Sequence, residues 1–149
     1  MGKIFSENIP KLFKKLVSLL SQTQNIKNTK QYKILIAEDE PVGRELFKMM
    51  FEKKYELIFA ENGIAAVEMF IKHKPNIVLM DIMMPEMDGF EAYTKIRELE
   101  FGKKTPIIAI TARAMKSESE IMLKHGFNGF ILKPIDVKLL YQTIQNLIF

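Results

Sequence analysis

The chain has 149 residues, 48% apolar and 27% charged, which is enough for one domain with a genuine hydrophobic core and ordinary for a globular fold. It has no cysteine, so disulfides and thiolate metal sites are excluded, and the composition fits a reducing cytoplasm. The net charge of +4 does not point to nucleic acid, because residues 1–30 hold six lysines against one glutamate while the rest hold 16 basic against 17 acidic side chains.

The first 30 residues are expected to form a basic amphipathic leader and a linker. Ile9, Leu12, Phe13, Leu16, Leu19 and Leu20 recur at helical spacing with lysines between them. Lys11, Lys14 and Lys15 interrupt this run, so it is neither a membrane span, which needs ~20 apolar residues, nor a signal-peptide core. Such a helix can dock on the rest of the chain, pair with itself, or touch an anionic membrane through residues 1–25. "MGKIFS" formally fits a myristoylation pattern, but three free positions in six make a chance match easy. Ser21 to Gln31 is polar and reads as a linker, which leaves 31–149 as the folded domain.

From Gln31 onward, short continuous apolar runs alternate with helical patterns. Strands are expected at Tyr32–Ala37, Tyr55–Ala60, Asn76–Met80, Pro106–Ile110 and Asn128–Leu132, each continuous, as strands buried on both faces are. Helical spacing follows each strand. The marker residues are Val42, Leu46, Met49 and Met50, then Ile64, Val67, Met69, Phe70 and Ile71, then Phe90, Tyr93, Ile96 and Leu99. Ala114, Ile121 and Leu123 mark the fourth helix, and Val137, Leu139, Leu140, Ile144 and Leu147 the fifth. Asn62-Gly63 and Asp88-Gly89 are expected to open helices. Five strand–helix units predict an α/β, doubly wound, five-stranded parallel sheet flanked by five helices.

Ligands in such a sheet collect beyond the carboxyl ends of the strands. The first strand ends in Glu38-Asp39-Glu40, the third in Asp81, the fourth in Thr111-Ala112 and the fifth in Lys133-Pro134. Two like charges 4 Å apart repel by about 4 kcal/mol at an effective dielectric near 20, so Glu38, Asp39 and Asp81 together call for cations. Lys133 is one, and an all-oxygen site with room for water suits Mg²⁺ as the other. A carboxylate between a metal and an ammonium is a plausible nucleophile toward phosphorus, with Lys133 and the Thr111 hydroxyl available to the phosphoryl oxygens.

The segments "ILIAEDE", "DIMMPEMDG", "TARAM" and "LKPI" resemble the receiver domain of two-component response regulators, of chemotaxis or hybrid-kinase type. The order and spacing match too: 42 residues from Asp39 to Asp81, 30 to Thr111 and 22 more to Lys133. The likeness covers roughly residues 33–149 and implies a flavodoxin-like fold. It implies that Asp81 is the phosphoacceptor, fed by a histidine kinase or histidine phosphotransfer protein. Asp39 would bind Mg²⁺ directly, Glu38 through water, and the backbone carbonyl of Met83 would be a further ligand. Thr111 and Lys133 would hold the phosphoryl oxygens, and the Lys133-Pro134 bond would be cis. Phe130 would be the switch aromatic, coupled to Thr111, where receivers often carry tyrosine. Met83 and Arg113 would tune phosphate lifetime.

The implied function is a cytoplasmic phosphorelay module that signals to a downstream protein target and catalyses only its own phosphorylation and dephosphorylation. On this reading a receiver module without a DNA-binding output domain is expected, and the leader can be a remnant of an upstream kinase in a hybrid chain. Two rivals remain. A haloacid-dehalogenase-type phosphatase would carry a second Asp where Met83 stands, with metal carboxylates downstream of Asp81 rather than before it. A phosphorylation-independent interaction module of the same fold would show no Mg²⁺ dependence. His73 and His125 are expected to be ordinary surface residues near helix ends, favoured there by the dipole.

Overall fold

A computed structural model describes residues 31–112 and 116–149, together with Lys11, Lys14 and Lys15. The three lysines are helical and exposed; the remainder of the expected leader helix, its possible membrane contact, and Arg113 and Ala114 lie outside the described residues.

Five parallel strands form one sheet: β1 (Lys33–Ala37), β2 (Glu56–Ala60), β3 (Ile77–Asp81), β4 (Ile107–Thr111) and β5 (Gly129–Leu132), in the order β2-β1-β3-β4-β5. Between and after them come α1 (Pro41–Phe51), α2 (Gly63–His73), α3 (Gly89–Glu98), α4 (Lys116–His125) and α5 (Val137–Ile148). Because side chains alternate across a strand, the sheet divides its apolar residues between two layers. Ile34, Ile36, Leu79 and Ile110 meet Phe47 and Phe51 of α1 and Leu140 and Ile144 of α5. Leu35, Ala37, Met80 and Ala109 meet Phe70 of α2, Tyr93 and Ile96 of α3, and Met122 of α4.

The strands begin one residue later than expected, and β3 and β4 run one residue further. Side-chain and backbone hydrogen bonding explain two of the starts. The Asn76 side chain accepts the Lys33 backbone N–H at 2.8 Å, so Asn76 clamps β1 instead of opening β3. Pro106 has no N–H to give and uses only its carbonyl, which accepts from Val78 at 3.0 Å. At the other end, Asp81 pairs with Ile110 and Thr111 with Leu132, so both chemically interesting residues belong to the ladder.

Helix starts follow the sequence. Asn62 caps α2 through Ala65 N–H at 2.8 Å, and Asp88 caps α3 through Glu91 N–H at 2.9 Å. The buried faces follow it less well. In α1 the core takes Phe47 and Phe51, while Val42, Leu46 and Met49 stand 71%, 50% and 76% exposed. In α4, Met122 is buried but Ile121 and Leu123 are not, and in α5 Leu140 and Ile144 are buried while Val137 and Leu139 are not. Each of these helices carries apolar residues on two sides, and the side with the better fit to the strands wins. Among the described residues no helix is long and apolar enough to cross a membrane.

Candidate functional site

The carboxyl edge of the sheet gathers the expected residues where the strand order reverses, between β1 and β3. Glu38 is the first residue beyond β1; its N–H donates to Ala60 O at 3.0 Å, and it is 1% exposed. Asp81 closes β3 and is 3% exposed. One carboxylate oxygen, Oδ1, accepts the Met83 backbone N–H at 3.0 Å; the other, Oδ2, accepts the Lys133 ammonium at 2.9 Å. Lys133 also donates to both Glu38 oxygens, at 3.1 and 3.4 Å. Half-buried Asp39 completes the group: one oxygen each of Glu38, Asp39 and Asp81 lies within 4.8 Å of the others.

Thr111 ends β4 one register step beyond the residue opposite Asp81; its carbonyl accepts the Lys133 N–H at 2.7 Å. That bond fixes the start of the segment that carries the ammonium, and the following Lys133-Pro134 peptide is cis. Phe130 is half-buried on β5 opposite Ala109, packed against the α2–α4 layer. The Met83 side chain is exposed, while its backbone turns beside Asp81. His73 ends α2. His125 ends α4 as an exposed residue, yet its ring lies about 5 Å from those of Phe90 and Tyr93, so it belongs to an aromatic cluster rather than bare surface.

The electrostatics reflect crowding without enough positive charge. Burial raises the Glu38 carboxyl to about 7, helped by its hydrogen bond to and repulsion from Asp81 and opposed by Lys133. Burial by itself would lower the Lys133 ammonium, but hydrogen bonds and attraction to Asp81 and Glu38 outweigh it and raise its pKa. A second cation would remove the remaining repulsion. Three convergent carboxylate oxygens, hard donors all, fit Mg²⁺ and leave positions for water and a phosphoryl oxygen.

Residues 34–145 match the family model of the response regulator receiver domain. The chain belongs to that family. It is a receiver domain of two-component signalling, and its relatives agree. The polar-differentiation response regulator DivK of Brucella anthropi is 34% identical over 114 residues, covering 76% of this chain and 93% of that protein. The hybrid signal transduction histidine kinase I of Dictyostelium discoideum is 38% identical over 122 residues, 76% of this chain but 7% of the kinase. Among solved structures, the receiver domain of the sensor histidine kinase PA1611 of Pseudomonas aeruginosa superposes with a TM-score of 0.73 at 33% identity, covering 78% of this chain and 97% of that one. That crystal structure has a magnesium ion coordinated in the active-site cleft. Chemotaxis protein CheY4 of Vibrio cholerae gives a TM-score of 0.73 at 26% identity, over 78% of this chain and 98% of its own.

The supporting roles of three residues in the receiver pocket escaped the sequence reading, which took Gly89 only as part of a helix-opening turn. Arg44 on α1 donates to the carbonyls of Glu38 and Asp39 at 2.8 and 2.9 Å and so holds the acidic loop. Gly43 leaves room for the Glu38 carboxyl, which a Cβ would meet at 2.9 Å. Gly89 packs under Asp81, where a Cβ would lie 2.5 Å from the Asp81 carbonyl oxygen. The only available signal was their position in the first turns of helices that follow the acidic and Asp81 segments.

Proposed function

We propose that Asp81 accepts a phosphoryl group from a phosphohistidine on a kinase or phosphotransfer protein, and that the acyl phosphate alters the surface a downstream protein reads. The observation that carries this is the shared ammonium: Lys133 bonds Asp81 and Glu38 at once, so nucleophile and metal-side carboxylate face one reaction centre. An Asp81 carboxylate oxygen attacks phosphorus as the P–N bond breaks, and the departing imidazole nitrogen keeps the bonding electron pair. The Lys133 ammonium neutralises charge gathering on the phosphoryl oxygens, and the Thr111 hydroxyl is the donor for another. Glu38, Asp39, Asp81 and the Met83 carbonyl are the group that would hold Mg²⁺, which supplies Lewis-acid stabilisation of those oxygens when bound. The Asp81 N–H partner, Met83, keeps the carboxylate from turning away.

Phosphorylation replaces a carboxylate with a larger, more negative group rich in acceptors. Thr111 drawn toward it leaves space that the Phe130 ring can enter, which reshapes the face made by α4, β5 and α5. A partner responds only if it prefers one state. The chain then acts as a cytoplasmic signalling module, residues 31–149, that turns over no external product beyond its own phosphorylation and dephosphorylation. A phosphatase of haloacid-dehalogenase type is disfavoured because Met83 occupies the place its general acid would need.

The test is incubation of the full chain with acetyl phosphate and Mg²⁺ and measurement of intact mass. One added phosphoryl group, not formed when EDTA is present during labelling and absent in Asp81→Asn, is the expected result. Labelling that persists in Asp81→Asn overturns the assignment, and sustained phosphate release from a phosphomonoester would favour the phosphatase.

A further inference from the structure

The loop between β3 and α3 carries the Met83 backbone, and its two parts are held differently. The base is tied to the sheet and to itself. Ile82 N–H donates to Ile110 O at 3.0 Å, Gly89 N–H to Ile82 O at 3.0 Å, and Met83 N–H to the Asp81 carboxylate at 3.0 Å. The tip has less of its own to rest on. Pro85 and Glu86 are exposed, and Met87 N–H folds back on Pro85 O at 2.8 Å. Glu86, which is not a glycine, lies in the left-handed region at φ 66°, a conformation that persists only where the surroundings impose it.

The neighbour that meets this tip is the first turn of α2. Gly63 N–H donates to Met87 O at 3.1 Å. Gly63 is buried, and a Cβ there would lie 2.8 Å from both the Met87 carbonyl carbon and the Met87 Cβ, and closer still to the carbonyl oxygen. Only glycine allows that approach. The helix behind it is firmly seated: Asn62 caps it, and Ala66 and Phe70 are fully buried in the core. A side chain at this position would therefore move the loop rather than the helix.

We infer that Gly63 is a positioning residue of the Asp81 site, although neither the carboxylates nor the ammonium of that site come from α2. Its missing side chain lets α2 grip the loop at Met87, and the loop in turn fixes the Met83 backbone beside Asp81. A methyl group at residue 63 would displace the tip by about 1 Å, a misplacement large enough to matter wherever geometry is strict. Mg²⁺ tolerates little distortion of its octahedral shell, so the displaced loop would hold it less well. The metal consequence rests on the receiver reading, in which the Met83 carbonyl is a ligand; the grip of Gly63 on the loop does not.

Gly102 supplies a matched control. It is buried between α3 and β4 at the opposite edge of the sheet, and a Cβ there would press on the Ile96 carbonyl in the same way. Calorimetric titration of the full chain with Mg²⁺ should give at least tenfold weaker affinity in Gly63→Ala and wild-type affinity in Gly102→Ala. Asn62→Ala, which loosens the first turn of α2 without adding an atom, should weaken binding about threefold. Amide hydrogen exchange in metal-free buffer gives a second readout. Relative to the Ile36 amide of β1, the Met83 and Gly89 amides should exchange at least tenfold faster in Gly63→Ala and at the wild-type ratio in Gly102→Ala. A glycine with only a structural role would lower protection everywhere alike and leave the affinity of the folded protein unchanged. Wild-type affinity in Gly63→Ala overturns the proposal, as does an equal loss in Gly102→Ala. If Gly63→Ala does not fold, wild-type affinity in Asn62→Ala overturns it. A wild-type chain that binds no Mg²⁺ would sink the receiver reading of the site instead, and the exchange ratio then decides whether Gly63 holds the loop.

Discussion

The two ends of the sheet use the same five strands for opposite purposes. At the amino edge, aromatic rings seal the fold: Phe51 stacks on Tyr141 at 5.8 Å and meets Tyr55 edge-on at 6.0 Å, while Tyr32 meets Phe149 at 5.1 Å. Burial there pushes the Tyr55 phenol up to about 12, which keeps it neutral. At the carboxyl edge, the strands bury the Glu38 and Asp81 carboxyls, at 1% and 3% exposure, beside a Lys133 side chain that stays 30% exposed. Burying apolar rings stabilises; burying like charges costs, and a further cation would offset that cost. One end therefore holds the fold, and the other is held ready for a reaction.

The comparison is broken most forcefully at the aromatic end. Phe51→Ala should lower unfolding free energy by about 3–5 kcal/mol, measured by urea denaturation, yet leave Mg²⁺-dependent phosphorylation intact at temperatures where the variant is folded. A matching loss of phosphorylation in folded protein would mean that the two ends are not separable.

At the carboxyl edge the effect is smaller and depends on pH. The Glu38 carboxyl titrates near 7 in the folded protein and near 4.5 otherwise, so the native state binds this proton more tightly. Its contribution favours folding at low pH and is lost progressively as pH rises from about 4.5 to about 7. Glu38→Gln removes this dependence. In metal-free buffer its stability relative to the wild type should improve by about 2 kcal/mol across that window, read from denaturation midpoints at each pH. A constant difference would show that burial does not disfavour the Glu38 charge.

Arg44→Ala is the mildest probe. Losing two hydrogen bonds to loop carbonyls should cost about 1 kcal/mol of stability. Because those carbonyls belong to Glu38 and Asp39, Mg²⁺ affinity should fall several-fold as well, measured by calorimetric titration.

The carboxyl end was the more legible in sequence. An acidic pair, an aspartate, a threonine and a lysine each end an apolar run, and a parallel sheet brings such ends together whatever the details of packing. The helical faces were harder to read, because α1 offers both Val42-Leu46-Met49 and Phe47-Phe51 to the core and only the contour of the sheet decides between them. The contacts of Arg44, Gly43 and Gly89 were invisible for a related reason: each acts on or near a backbone or carboxyl group that is remote from it until the chain folds. Strand limits shifted by a residue where Asn76 and Pro106 spend their hydrogen-bonding groups on neighbouring strands.

The central claim is that Glu38, Asp39 and Asp81 form one magnesium-ready site beside the Lys133 ammonium. Calorimetric titration of the full chain with Mg²⁺ at pH 7.5 tests it most directly, comparing wild type with Asp39→Asn and Asp81→Asn. The account predicts a single ion bound by the wild type and at least a tenfold weaker affinity in each variant. Wild-type affinity in either variant would contradict it.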